Sequence, residues 1–432
     1  MLKEKRDALA TAHKTLRPDP QRIDSLTESI AADEAVLNDI EARLDQSDPN
    51  FYRIVSPEAP VLSLEEVTNK IPKGTPLLQF FYNDEDLLAW VIDHRGLAQS
   101  FGMTIDRRSL DWQIRSLHRA CRTGNSIEPF ASELAEMFLV PCAQTIRSCT
   151  RLLIVPYGAA YLLPFHALPF EGESLAPRRA VSYLPSASVL QFLRGQSEKT
   201  GTGRMLAIGN PTGDLHYAAR EAAFVASLFD ENALLGEQAT EDAVRERIHD
   251  CAFVHFATHG KLSNDVPLAS SIALANGEEL TVYELMGLQL NAELVVLSAC
   301  DTGRGQITGG DDVLGFTRAL LATGAKAAVV SLWPVDDVST SLFMGAFYRY
   351  LREDNAPSAA LQRAQQYLRS LTDEESERAL IELDSALDKA IADLSLDESE
   401  AHDLRHLGRS TTASQAKIYG HPFHWAPFIL VG

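Results

Sequence analysis

Past residue 204 the chain alternates short, continuously apolar runs with helical segments, and this alternation constrains the fold more than any other feature. "MLAIGN" reads as a strand and 218–229 as a helix; 241–249 is a helix and "AFVHFATHG" a strand. "ELVVLSAC" is a strand, "DDVLGFTRALLATG" a helix stopped by Gly324, "AKAAVVSLWPV" a strand and 338–352 a helix. Strands that are apolar on both faces need cover on both sides, which a parallel sheet between helical layers supplies. The expectation is an α/β chain in which 205–432 builds a mostly parallel sheet. An acidic insertion with a helical pattern at 371–403 precedes a terminal strand, "HPFHWAPFILVG".

Upstream the texture differs. "TPLLQFFYNDEDLLAWVIDHRGLAQSFGM" carries two apolar runs split by "NDED", a hairpin signal. Helical patterns follow at roughly 107–122 and 127–140, then strands in "RLLIVPYGAAYLLPFHALPF" and "RAVSYLPSASVL". This mixed α/β unit is predicted to pack beside the sheet, with "RGQSEKTGTGR" as the linker. In the first 48 residues Leu26, Ile30, Ala31, Val36, Ile40 and Leu44 form a helical stripe, broken upstream by Pro18 and Pro20. A helical hairpin is expected there, docked on the body or continuing a helical array.

The formal charge of −20 argues against nucleic acid or an anionic membrane as a direct partner. There is no run of about 18 apolar residues. The charged N-terminus has no signal-peptide core, so a cytoplasmic location is expected. Five scattered cysteines (Cys121, Cys142, Cys149, Cys251 and Cys300) form no CxxC pair, which speaks against a disulfide framework or a standard zinc site. His402 and His406 are spaced for one helical face, and His421 and His424 lie nearby, but no cysteine or carboxylate trio completes a metal site. No metal is expected.

Two strands end in reactive side chains: "VHFATHG" in His259 and "VVLSACDTG" in Cys300. Side chains at the carboxyl ends of strands line the crevice of an open parallel sheet. Strands joined by a crossover are usually neighbours, which would bring imidazole and thiol together. A free thiol with a pKa of about 8.5 is mostly protonated at neutral pH. A neighbouring imidazole takes its proton and later gives one to a leaving amine. Gly260 leaves its N–H unobstructed, and with the N–H of Cys300 it can hold a developing oxyanion. Cys251 and His255 fall within or beside the strand core and read as structural.

These two motifs resemble the signature of the CHAT domain, a caspase-like, clan CD cysteine peptidase domain often attached to tetratricopeptide repeats. "LLIVPYGAAYLLPFHAL", "VSYLPSASVL", "AAREAAFVASLF", "GGDDVLGFTRALLATGAKAAVVSLWPVDDVST" and "HPFHWAPFILVG" also resemble family landmarks, in family order, across roughly 52–432. The resemblance implies a caspase-like three-layer α/β sandwich in which a catalytic half at 199–432 follows a degenerate, non-catalytic half at 51–198 and the N-terminal helical segment 1–50. It implies a His259–Cys300 dyad that requires no third acid, and no cofactor. It also implies a substrate pocket shaped by the loop after Cys300 and by the next strand, here Asp301, Trp333, Asp336 and Asp337. The plainer reading of the last three makes Trp333 a core residue and Asp337 a helix N-cap, with Ser339 competing for that role.

The leading expectation is a cysteine endopeptidase acting on a protein, switched on by a protein partner or a helical-repeat module at the N-terminus. A non-catalytic caspase-like scaffold, whose acidic segment recruits a basic partner, is the alternative. A nucleotide-binding reading of "DTGRGQITGGDD" fails on charge, because Asp311 and Asp312 sit where a phosphate would dock.

Overall fold

The computed structural model describes residues 61–191, 203–261, 269–288, 292–298, 324–354, 356–394 and 418–432, with positions 290, 318, 320, 321 and 404 and scattered positions between 21 and 32. The chain divides into two compact units, Met1–Pro60 and Val61–Gly432. In the first, the described positions between 21 and 32 are helical. The rest of the expected helical hairpin lies outside the described residues, as does almost all of the linker.

The second unit is a mixed α/β structure around an eleven-stranded sheet. Its first strands are β1 (Leu77–Tyr82), β2 (Asp86–Asp93), β3 (Gly96–Thr104) and β4 (Arg151–Val155). A two-stranded ribbon, β5 (Pro169–Phe170) and β6 (Glu173–Ser174), precedes β7 (Ala180–Tyr183). Then come β8 (Arg204–Gly209), β9 (Leu234–Leu235) and β10 (Cys251–Ala257). The strands β11 (Gly260–Lys261), β12 (Ser271–Ala273) and β13 (Glu279–Thr281) form a small antiparallel sheet of their own. The last three strands are β14 (Leu294–Leu297), β15 (Ala328–Ser331) and β16 (Phe428–Val431).

Across the large sheet the order is β3-β2-β1-β4-β7-β16-β15-β14-β10-β8-β9. Among the described residues, β3/β2, β2/β1 and β15/β16 run antiparallel and the other neighbours are parallel. The expected mostly parallel sheet is therefore present. The region before the linker joins it edge to edge, because β16 lies between β15 and β7. All four β16 residues are buried, and a strand apolar on both faces is placed at the centre of a sheet.

Local chemistry explains the elements. The side-chain carbonyl of Asn83 accepts the N–H groups of Glu85 and Asp86 at 2.9 and 2.7 Å, which closes the β1–β2 hairpin at "NDED". The helix Arg107–Thr123 starts on the side-chain cap of Asp106, buries Leu110, Ile114, Leu117 and Cys121, and stops at Gly124 in the left-handed region. Gly324 has φ +97°, and a Cβ there would sit 2.0 Å from the Leu290 carbonyl oxygen, so no other residue fits.

The acidic segment becomes the helix Asp373–Leu394, opened by a capping box between Thr372 and Glu375. Leu383, Leu387 and Ile391 are buried along one face, and the helix packs on the helix Ala218–Ser227. Arg220 on that second helix donates to Asp384 at 2.6 Å. Charge in this helix is thus confined to the outer face, and the helix Asp373–Leu394 is an integral layer of the fold.

Candidate active site

The strands β10 and β14 are parallel neighbours, with Phe256 opposite Leu297. The Ser298 N–H donates to the Phe256 carbonyl at 3.1 Å, so pairing continues past the end of β14. His259 and Cys300 each lie three residues beyond the matched pair Phe256 and Leu297. Cys300 itself, Asp301 and the glycine-rich 302–310 loop lie outside the described residues.

His259 follows β10 as the chain enters the small sheet. Its carbonyl accepts the Ala273 N–H at 2.9 Å, and the Thr258 hydroxyl donates to the Ala273 carbonyl at 2.9 Å. Gly260 faces Ile272 across the ladder. Since the ladder bond runs from Ala273 to His259, Gly260 occupies a non-hydrogen-bonded pair and its N–H points away from β12. The imidazole is partly exposed, at 26% of its side chain.

Sequence reasoning missed Asp214. Its carboxylate meets His259 Nε2 at 2.9 Å through both oxygens. Burial raises the Asp214 pKa, but hydrogen bonds from Thr212 and His259 outweigh it and hold the carboxyl below its ordinary range. The sequence carried only half of the signal, since "NPTGD" follows a strand at its carboxyl end; that this strand, β8, lies beside β10 is seen only in the structure. Asp214 therefore reaches the same sheet edge from the other side of His259.

The remaining thiols are of a different kind. Cys121, Cys142, Cys149 and Cys251 are buried. Burial pushes Cys121 and Cys142 up to about 12 and Cys149 to about 11, and it raises Cys251 as well. Such thiols stay protonated and unreactive at neutral pH. His255 is fully buried, with Nε2 on Glu221 at 2.9 Å and Nδ1 on the Tyr348 hydroxyl at 3.2 Å.

Of the expected pocket residues, Trp333 is fully buried and its indole N–H donates to the Phe423 carbonyl at 3.1 Å, a core position. Asp336 accepts the Ser339 N–H at 2.9 Å, which makes Asp336 the cap of the helix Asp337–Asp354. Asp337, one residue into that helix, accepts the Tyr217 N–H at 2.7 Å. Burial pushes Asp337 up to about 6, opposed by the Tyr217 N–H and reinforced by Glu221 and Asp336.

His421 uses both ring nitrogens, Nε2 on the Asn125 carbonyl and Nδ1 as acceptor of the Phe423 N–H. His402 and His406 lie outside the described residues. Among the described residues no three His, Cys, Asp or Glu side chains are grouped to hold a metal ion, and no helix is long and apolar enough to cross a membrane.

The sequence matches the CHAT domain over residues 128–432. The chain belongs to the CHAT domain family. It is also similar to tetratricopeptide repeat protein 28 of Homo sapiens, 29% identical over 280 residues that make up 51% of this chain and 11% of the relative. The Mus musculus protein of the same name is 28% identical over 277 residues, again 51% of this chain and 11% of the relative. The CHAT chain thus spans about a tenth of the length of these curated relatives.

Proposed function

We propose that this CHAT domain is a cysteine endopeptidase acting on a protein substrate through His259 and Cys300. The observation that carries the reading is the parallel register of β10 and β14, from which His259 and Cys300 depart at equal distance. His259 takes the proton of the Cys300 thiol, and the thiolate attacks the scissile carbonyl carbon. The N–H groups of Gly260 and Cys300 receive the oxyanion. His259 then protonates the departing amine as the C–N bond breaks. Water, deprotonated by His259, cleaves the thioester and restores the thiol. No cofactor enters these steps.

The division into a degenerate half at 51–198 and a catalytic half at 199–432 belongs to this proposal. So does control by a protein partner. Both relatives are named for tetratricopeptide repeats, which supports a helical-repeat module as the controlling partner of this domain.

The test is exposure of the purified protein to a proteome, with new peptide termini read by mass spectrometry and Cys300→Ala as control. Cleavage that disappears in the variant supports the peptidase. Identical termini from both proteins would favour the scaffold reading, in which the fold only binds.

A further inference from the structure

We propose that Asp214 is a positioning residue that fixes the His259 imidazole for its work on Cys300. The proposal deepens the peptidase reading and rests on it. Three strands would then supply the site from adjacent carboxyl ends: β8 the acid, β10 the imidazole and β14 the thiol.

The loop that carries Asp214 is a built frame. Asn210, buried and left-handed at φ 51°, donates its N–H to the Ala257 carbonyl at 3.0 Å, tying the loop to the strand that carries His259. Its side-chain oxygen accepts the Leu215 N–H at 2.9 Å, which closes the loop on itself. The Thr212 hydroxyl donates to Asp214 Oδ1 at 2.5 Å and orients the carboxylate. Asp337 holds the far end through the Tyr217 N–H. A surface ion pair between two mobile side chains gains little and positions nothing. The Asp214 side chain is 63% exposed, but here the backbone on both sides of the acid is pinned and the Thr212 hydroxyl holds the carboxylate itself, so it is oriented as an acceptor for Nε2.

Fixing Nε2 has a chemical consequence at the other nitrogen. With the Nε2 proton held by Asp214, Nδ1 is the nitrogen that accepts the thiol proton. The imidazolium that results is stabilised by the carboxylate it already touches. Asp214 therefore favours the thiolate–imidazolium pair without itself changing protonation.

The experiment is alkylation of the intact chain by iodoacetamide from about pH 5 to about pH 10, with each cysteine quantified by mass spectrometry. In the wild type Cys300 is expected to react at pH 7 well ahead of the four buried thiols. Asp214→Asn should slow Cys300 about tenfold at pH 7, the equivalent of one pKa unit, with the deficit closing by about pH 10 where the thiol ionises unaided. Asp214→Glu should recover part of the loss. Superimposable wild-type and Asp214→Asn profiles would overturn the positioning role while leaving an activated Cys300 standing. A deficit that persists at high pH, with Glu no better than Asn, would mark Asp214 as merely structural and also overturn it. A wild-type Cys300 that reacts at pH 7 like an ordinary thiol would remove the peptidase reading and this proposal together.

Discussion

The carboxylate of Asp337 accepts the Tyr217 backbone N–H at 2.7 Å, and it thereby ties the helix after β15 to the end of the loop after β8. Burial makes the charged form of this side chain costly, and Glu221 and Asp336 add like charge, so its pKa rises to about 6 in the folded protein. In the unfolded chain it returns to the ordinary carboxylate range near 4. Between those values the folded state holds a proton that the unfolded state releases. Stability is therefore highest at the acid end of the window and falls as pH rises through about 6.

Asp337→Asn should therefore stabilise this CHAT domain at neutral pH. The amide keeps an acceptor for the Tyr217 N–H and removes the buried charge. The expected gain at pH 7 is on the order of 1–2 kcal/mol, discounted for partial exposure, and should vanish by about pH 4. Urea unfolding at the two pH values measures it. A variant less stable than wild type at pH 7 would mean that the charge, and not the acceptor, secures the loop.

Cys300→Ala and His259→Ala should each abolish cleavage, by about a thousandfold or more, because the two act as a unit. His259 lies beyond the end of β10 with its side chain partly exposed, and Cys300 follows β14 by three residues in the sequence, so thermal unfolding should be nearly unchanged. Cys251→Ala, at a buried position, should instead cost about 1 kcal/mol and leave cleavage intact. Robust turnover by Cys300→Ala would end the dyad.

Most of the strand framework was legible because runs such as "AFVHFA" are apolar on both faces and have one comfortable place, the inside of a parallel sheet. The hairpin at "NDED" and the stop at Gly324 were legible because their backbone geometry demands particular residues. Asp214 was not. An aspartate in "NPTGD" has the look of an ordinary turn residue, and only the β8–β10 pairing shows that its turn opens beside His259. In the segment 371–403 charge hides the stripe Leu383, Leu387 and Ile391, which stands out only once the helix Asp373–Leu394 is seen to pack. Asp336 took the cap expected of Asp337 because the helix begins one residue earlier than its apolar pattern.

The buried group of Glu221, His255 and Tyr348 should matter for stability more than for chemistry. Glu221 and His255 are 1% and 0% exposed, and His255 bridges the carboxylate and the phenol. Removing one member strands the others without water. Glu221→Ala should cost about 3–5 kcal/mol and Tyr348→Phe nearer 1 kcal/mol. Glu221→Gln, which keeps a hydrogen-bonding group for His255, should fall between them. An unchanged unfolding midpoint in Glu221→Ala would show that the group carries no net stability.

The residue before the scissile bond should not be acidic. Asp301 follows Cys300 directly, and Asp336 and Asp337 stand beyond the carboxyl end of β15, the strand next to β14. Asp214 adds a carboxylate on the other side of His259. An aspartate or glutamate brought into such surroundings meets like charge as it loses water, at a cost of several kcal/mol or about a hundredfold or more in selectivity. A basic residue or a long unbranched apolar one is expected instead. A peptide library presented to the active CHAT domain measures the preference. Selection of aspartate there would refute the pocket assignment. If basic residues win, Asp301→Asn and Asp337→Asn identify the carboxylate responsible, since the one facing the substrate should lower the preference for lysine and arginine. If long unbranched apolar residues win, neither variant should change the preference.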